Sequence, residues 1–351
     1  MGTPSKVVHL HNHSEFSFLD GIPNPVKMVA AAVADGQPAI SINDHGTTAG
    51  AWRLAKAARA AGIKPIIGME GYLAIGSRHE QNVRVVAQDS NDLDADDGGK
   101  EKRYEHLTML AATKAGWNNL VRISNEANRT GYWYKPRFDW ELLDTHRGGL
   151  IFGTGCLGGP VASAILRGDL PAAKAAIAHL IDIAGRDHVF VEVMNHGLPE
   201  EAIVLPVLTQ LAREFALPVV ATNDAHYLCD TDADAHAAWL RIGSKGKFKF
   251  HGTGYHLRTA AEMHAVFDGL PGCESAVANT LAIAQMVEDD VLPEAKMRLP
   301  RFPVPEGFID AAAYLHHKVR EGAIRRYGTQ WPAALAPRLR FEMDVIVNAG
   351  L

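Results

Sequence analysis

Cysteine is scarce in this chain. Cys156, Cys229 and Cys273 are the only three in 351 residues, and they stand far apart. An odd, scattered set excludes a disulfide framework and makes reduced thiols the expectation. No run of about 18 apolar residues is present, which excludes an apolar membrane-spanning helix. No basic-then-apolar leader opens the chain either, because Lys6, His9 and His11 interrupt its start, so a cytoplasmic protein without a membrane partner is expected. A general excess of positive charge is also missing. With 35 Lys and Arg against 40 Asp and Glu the formal net charge is -5, so a phosphate-bearing partner must be drawn by a local patch or by bound cations. Neither a phosphate-cradling P-loop nor a G-x-S-x-G nucleophile elbow occurs, and no separate Ser/His/Asp order stands out.

What remains is an ordinary globular composition, 47% hydrophobic and 21% charged, with a strongly alternating pattern. The stretch "NPVKMVAAAVADG" predicts a helix with Asn24 as N-cap, Pro25 at its first position and Gly36 as its stop. "PAISIND", "KPIIGMEGYLA", "HLTMLAAT", "LIFGTG", "HVFVEVMN" and "PVVATNDAH" read as strands, separated by helical segments such as "AGWNNLVRISNEAN" and "VLPVLTQLAREF". About seven βα units predict a barrel or a doubly wound sheet, and in both the ligands gather at the carboxyl ends of strands. The alternation fades past residue 285. "LPRFPVPEG" then reads as a proline-punctuated linker before helices at about 310–325 and 333–349. The chain stops at "DVIVNAGL" without a compact finish, the pattern expected of the first piece of something longer.

"HLHNHSEFSFLDG" places His9, His11 and His13 at alternate positions, which share one face if the segment is a strand. Crowded imidazoles repel and desolvate one another, and a divalent ion relieves both problems. The same chemistry recurs at later strand ends. His45 lies in "NDHG", Glu70 in "GMEG", His106 opens the next strand, Cys156 lies in "GTGCLGG", and Asp224 and His226 lie in "TNDAH". Asp20 can reach the same mouth from the first loop. Nine donors are too many for one ion and suit two or three divalent ions such as zinc, manganese or iron. His9, one step deeper, is expected to be a core or supporting residue; His196 and His256 stay open.

Four weaker patterns are set aside or held. Asp92, Asp94 and Asp96 have calcium-loop spacing, but Asp97 displaces the glycine and Arg103 stands where the closing glutamate belongs. "GTGCLG" fits a dinucleotide fingerprint, yet Pro160 and a central cysteine suit a turn presenting a thiolate. "YWYKPRF" offers Tyr132, Trp133, Tyr134, Lys135 and Arg137, which read equally as a surface for stacking and phosphate contact on a frayed DNA strand or as a packed turn with surface cations. Lys245, Lys247 and Lys249 in "KGKFKF" read equally as a DNA contact or as protection of a sheet edge.

"HLHNHSEFSFLDG", "NDHG", "GIKPIIGMEGYL", "YEHLTMLA", "GTGCLGG" and "ATNDAHYL" together resemble the PHP (polymerase and histidinol phosphatase) domain, in the form that opens bacterial replicative DNA polymerase III alpha subunits. "YKPRFDWELL", "YHLRTAAEM" and "RFEMDVIVNAGL" are similar to further segments of that subunit. The resemblance implies an α/β fold, a distorted seven-stranded (β/α) barrel over residues 1–285, with residues 286–351 a linker and the helical start of a polymerase body. It implies up to three metal ions on His11, His13, Asp20, His45, Glu70, His106, Cys156, Asp224 and His226. By the family's division, His11, His13 and Asp224 form one site, His106 and Cys156 a second, and Asp20, His45 and His226 a third. Glu70 bridges them, and Glu70, Asp224 and His13 carry the catalytic role. His9, where many stand-alone members carry aspartate, favours the polymerase branch. The polymerase's own catalytic aspartates lie beyond residue 351 in the family, so no polymerisation is expected from this chain alone. A 3'-5' exonuclease acting on single-stranded or frayed DNA ends, in the company of the rest of the polymerase and the replisome, is the leading implication. A non-catalytic module that docks partners and a small-molecule phosphatase are the alternatives.

Overall fold

The computed structural model describes residues 6–86, 101–244, 251–294 and 300–350. The acidic stretch with Asp92, Asp94 and Asp96, and the lysines 245, 247 and 249, lie outside the described residues. The strands are β1 (Ala39–Ile42), β2 (Lys64–Ala74), β3 (Val85–Val86), β4 (Glu101–Lys102), β5 (Tyr104–Ala111), β6 (Tyr132–Trp133), β7 (Lys135–Phe138), β8 (Leu150–Gly153), β9 (Val189–Val193) and β10 (Val219–Ala221). Helices α1 (Pro25–Ala34), α2 (Ala51–Ala60), α3 (Lys114–Thr130), α4 (Trp140–Thr145), α5 (Pro160–Leu166), α6 (Leu170–Ala184), α7 (Pro199–Phe215), α8 (Ala233–Gly243), α9 (Ala260–Phe267) and α10 (Ala276–Met286) surround them. Local signals account for much of this. Asn24 accepts the Val26 amide ahead of Pro25, and Gly36 at φ +72 ends α1.

The main sheet is curled and mixed, in the order β10-β9-β8-β5-β2-β7-β6, with β1 beside β2. β2 is long enough to pair with β1 through its first half and with β7 through Tyr72 and Leu73 near its end. The segment from Lys6 to His13 closes the curl. On one side Ser41 and Asn43 donate to the carbonyls of His9 and Asn12; on the other, His13 donates to Ala225 and Ala225 to His11. Counting this segment with β1, β2, β5, β8, β9 and β10 gives the distorted seven-stranded barrel.

Two features depart from the sequence pattern. The first segment is extended but forms only an isolated bridge, Asn12 to Ala225, rather than a strand. The Asn12 side chain does part of the ladder's work, donating to the carbonyls of His9 and Ser41 at 3.2 and 3.1 Å, while Thr280 Oγ1 accepts the Val8 amide. Regular β-then-α alternation also fails at β5, which runs antiparallel to both β2 and β8.

The core explains why the strands read as near-continuous apolar runs. Every residue of β2 after Lys64 is buried, as in sheets covered on both faces. Leu110, Phe152, Phe190, Ile177 and Leu180 pack in the larger cluster. Met28, Ile40, Leu54 and Ile67 make a smaller one under α1 and α2. The chain divides into two compact units, Met1–Pro293 and Glu294–Leu351. The second contains α11 (Ala311–Tyr327), capped by Asp310, and α12 (Leu335–Asn348). No helix among the described residues is long and apolar enough to cross a membrane.

Candidate metal centre

The nine donor residues meet at one end of the barrel. His11 and His13 arrive from the closing segment, His45 from the loop after β1, Glu70 from within β2, and Asp224 and His226 from the turn after β10. His106 reaches the same mouth because β5 is reversed: its amino end lies where its neighbours have their carboxyl ends. Glu70 is the hub. Its carboxylate oxygens lie 3.5 Å from His11 Nε2, 3.3 Å from His13 Nε2, 2.9 Å from His45 Nδ1, 3.3 Å from His106 Nδ1 and 3.4 Å from Cys156 Sγ. Asp224 Oδ1 adds contacts of 3.4 and 3.0 Å to His11 and His13. Asp20 Oδ2 lies 2.8 Å from His45 Nε2 and 3.4 Å from His226 Nε2.

These donors fit divalent cations. His11 Nε2, His13 Nε2, His45 Nδ1, Glu70 Oε2 and Asp224 Oδ1 are buried and make no hydrogen bond. Buried polar atoms in native proteins nearly always have a partner, so a cluster of exceptions at one point requires a reason. Two ligands about 2.1 Å from one ion at a tetrahedral angle lie about 3.4 Å apart, close to several of the separations found here. Among the described residues, three groupings bring donor atoms close enough to share an ion: His11, His13, Glu70 and Asp224; His45, Glu70 and His106; and His13, His45 and His226. They overlap at Glu70, His13 and His45, so the structure does not reproduce the family's three-way division residue for residue.

Electrostatics give the same picture. Burial opposes ionisation of Glu70, but the imidazoles of His106, His45 and His11 outweigh it and hold the carboxyl well below its usual range. Burial likewise disfavours a charged His11 ring, and Glu70, Glu192 and Asp224 reverse the balance, raising it well above 6.5. Cys156 is pushed up to about 12 by burial and by Glu70, against an opposing pull from His106. Without a cation the centre stores protons that metal ligation must expel.

His9 is not in the cluster. Its ring is buried, its Nε2 lies 2.6 Å from the Arg258 carbonyl, and burial lowers its pKa to about 4. Several supporting residues escaped sequence reading. Glu192, on β9, touches His11 Nδ1 at 2.9 Å, and the one signal for it was a charge inside the apolar run "VFVEV". Ser17 Oγ lies 3.1 Å from His13 Nδ1 and donates to Asp44. His236 lies 3.9 Å from Asp20. His196, left open by the sequence, lies 2.6 Å from Glu201 Oε1 and holds the Asn223 carbonyl next to Asp224.

Above the donors opens a cavity of about 480 Å3, with Phe18, Tyr132, Tyr134 and Lys135 in its wall. Tyr132 and Tyr134 are exposed, and Phe18, which sequence reading did not single out, is 77% exposed. Lys135 Nζ lies 3.3 Å from the Tyr72 hydroxyl, and Trp133 is half-buried edge-on to Tyr134. Arg137 has to be withdrawn from the DNA-contacting set. It is buried, and its guanidinium donates to the carbonyls of Gly131, Glu80 and Arg78, so it braces a turn. Of the four non-glycine residues with positive φ among those described, Leu19, Tyr134 and Asp224 all line this mouth. Left-handed backbone concentrates at sites whose surroundings over-determine it.

Residues 9–196 match the family described as the PHP domain. The chain is 39% identical over 357 residues to the DNA polymerase III subunit alpha of Mycobacterium tuberculosis, covering 99% of this chain and 30% of that subunit. It is 39% identical over 338 residues to the corresponding subunit of Thermus aquaticus, covering 93% of this chain and 26% of that one. The chain thus spans less than a third of the length of these relatives. Among solved structures, a protein described as a metal-dependent phosphoesterase from Bifidobacterium adolescentis aligns with a TM-score of 0.41 and 18% identity, over 77% of this chain and 100% of that one. By its family match and its relatives, this chain belongs to the PHP domain family.

Proposed function

We propose that this chain is the PHP portion of a DNA polymerase III alpha subunit and that its centre is a 3'-5' exonuclease, a metal-dependent phosphodiesterase that proofreads DNA ends in the cytoplasm. On this reading residues 1–285 form the catalytic barrel, residues 286–351 begin the polymerase body, and the partners are DNA and the rest of the replicative polymerase. One observation carries it: a competent donor stands at each of the nine positions, with His11, His13, His45, His106 and Cys156 within 3.5 Å of the Glu70 carboxylate and Asp224, Asp20 and His226 joined to that group through its histidines. Divalent ions held by these residues would supply Lewis acidity toward a phosphoryl oxygen and would make water a nucleophile at neutral pH.

The chain's own residues do the rest. Glu70, with both oxygens engaged, suits the bridging role between neighbouring positions. Asp224 Oδ1 lies 3.0 Å from His13 Nε2 and holds that ring, which stacks on His45. Lys135, in the cavity wall, brings positive charge to a phosphate, and Tyr132 and Tyr134 offer faces on which unpaired bases stack. A paired terminus must unstack before its phosphodiester reaches a recessed centre, which favours frayed ends. The test is release of mononucleotides from a 5'-labelled oligonucleotide with manganese or zinc present. Stepwise shortening from the 3' end that stops in Asp224→Asn supports the proposal. Metal uptake without hydrolysis would point instead to a structural module, and hydrolysis of sugar phosphates alone to a phosphatase.

A further inference from the structure

The metal positions on either side of Glu70 come from distant parts of the chain, His11 from the closing segment and Cys156 from the loop after β8. One buried side chain touches both supports. Glu192 Oε2 lies 2.9 Å from His11 Nδ1 and accepts from Thr222 Oγ1 at 3.1 Å. Its other oxygen, Oε1, accepts the Gly155 amide at 3.0 Å, one residue before Cys156. The Glu192 amide donates to Thr154 Oγ1 in the same loop, also at 3.0 Å. The side chain is fully buried.

The fold makes room for this carboxylate. A Cβ built on Gly153 would lie 2.1 Å from Glu192 Oε1, so only glycine at that place in β8 lets the carboxylate lie against the strand. The chemistry also requires a carboxylate. Three donors, from His11, Gly155 and Thr222, point at its two oxygens, and a glutamine side chain has one acceptor oxygen and an NH2 that would face a donor. When the ring is neutral, as metal ligation requires, donation from His11 Nδ1 to Glu192 would leave the Nε2 lone pair on the side of Glu70 and Asp224.

We propose that Glu192 is a positioning residue that couples two metal positions. By holding His11 and the Cys156 loop with opposite oxygens of one carboxylate, it makes thiolate ligation at Cys156 depend on a residue that never touches the sulfur. The proposal rests on the metal-centre reading above. It predicts that disturbing Glu192 weakens the His11 and Cys156 positions together, where an ordinary buried hydrogen bond would affect only its neighbour.

The probe is cobalt(II), added to the whole chain after chelator treatment. Thiolate-to-cobalt charge transfer reports Cys156, and the weaker visible bands report total uptake. Cys156→Ser, which should lose only the charge-transfer band, fixes the assignment. In Glu192→Gln and in Gly153→Ala, the cobalt concentration needed for the thiolate band should rise by about 10- to 100-fold, the range seen when supporting residues of metal ligands are lost. Weaker visible bands should accompany it. Gly153→Ala keeps the carboxylate and displaces it, so it decides the matter if the glutamine variant does not fold. A thiolate band at the parent's cobalt concentration in either folded variant would overturn the coupling. Unfolding of both variants in chelator would also overturn it, because Glu192 would then be an element of the fold and not of the centre. A parent protein that takes up no cobalt would remove the metal-centre reading itself, a result distinct from both.

Discussion

Replacing Asp224 by asparagine separates charge from shape. Asp224 sits at φ +44, in the left-handed region where asparagine is among the best-tolerated residues, so the backbone should keep its course. In chelator the cost is electrostatic. Burial disfavours a charged His226, yet Asp20 and Asp224 hold its ring up to about 9, from 6.5. At about 1.36 kcal/mol per unit this is about 3 kcal/mol shared by two carboxylates, so losing Asp224 should cost on the order of 1 kcal/mol below pH 6.5. With metal the cost grows. A ligand loss that weakens affinity about 100-fold lowers the stabilisation from about 4.1 kcal/mol, at 1,000 times Kd, to about 1.4 kcal/mol. At roughly 2 °C per kcal/mol, the variant should melt about 2 °C below its parent in chelator and about 7 °C below it in metal. Exonuclease activity, read with metal present, should vanish in the variant. Melting curves with and without zinc, beside a nuclease assay, measure these quantities. Equal stabilisation by metal in the two proteins, together with a retained rate, would remove Asp224 from the centre.

The His226 pair also sets a sign for pH. Its contribution to the chelated protein is complete below pH 6.5 and fades as pH rises through about 9, so that melting temperature should fall over this range through this pair. Metal uptake should release protons and tighten with rising pH, since the imidazolium groups and the Cys156 thiol must be deprotonated; calorimetry in buffers of different ionisation enthalpy would show no proton release if the donors are idle. Phe18→Ala and Tyr134→Ala should each weaken binding of a single-stranded oligonucleotide by about 1–3 kcal/mol while sparing hydrolysis of a small chromogenic phosphodiester, and unchanged anisotropy titrations would refute the stacking role. Frayed or mismatched 3' ends should be cut faster than paired ends, and equal rates would contradict a recessed centre. Arg137→Ala should leave DNA affinity unchanged but cost about 1–3 kcal/mol of stability, because it removes a buried side chain and strips the buried Gly131 carbonyl and two part-buried hydrogen bonds of their donor; a DNA defect in a protein of parental stability would restore it as a phosphate contact.

Helix and strand positions were legible wherever local chemistry decides them. Asn24, Pro25 and Gly36 bound α1, and "KPIIGMEGYLA" coincides with β2 because its residues are buried along nearly the whole strand. Strand direction was not legible. Nothing in "YEHLTMLA" distinguishes a reversed strand from a parallel one, yet reversal is what brings His106 to the mouth. The gathering of the nine donors could be anticipated because histidines and carboxylates at successive strand ends have few bland explanations. Their supports could not. Glu192 looks like any charge in a strand until His11 and Gly155 are seen on its two oxygens. Arg137 failed for the opposite reason: strand parity groups it with Lys135, which lines the cavity, but three backbone acceptors hold its guanidinium inward.

The central claim is that nine side chains form one polynuclear metal centre. Metal analysis of protein purified gently and without chelator tests it most directly, with Glu70→Gln prepared in parallel. Two or three equivalents of zinc, manganese or iron in the parent, and a marked loss from the Glu70 variant, are the predicted result. A folded parent that carries no metal and takes up neither zinc nor manganese would contradict it.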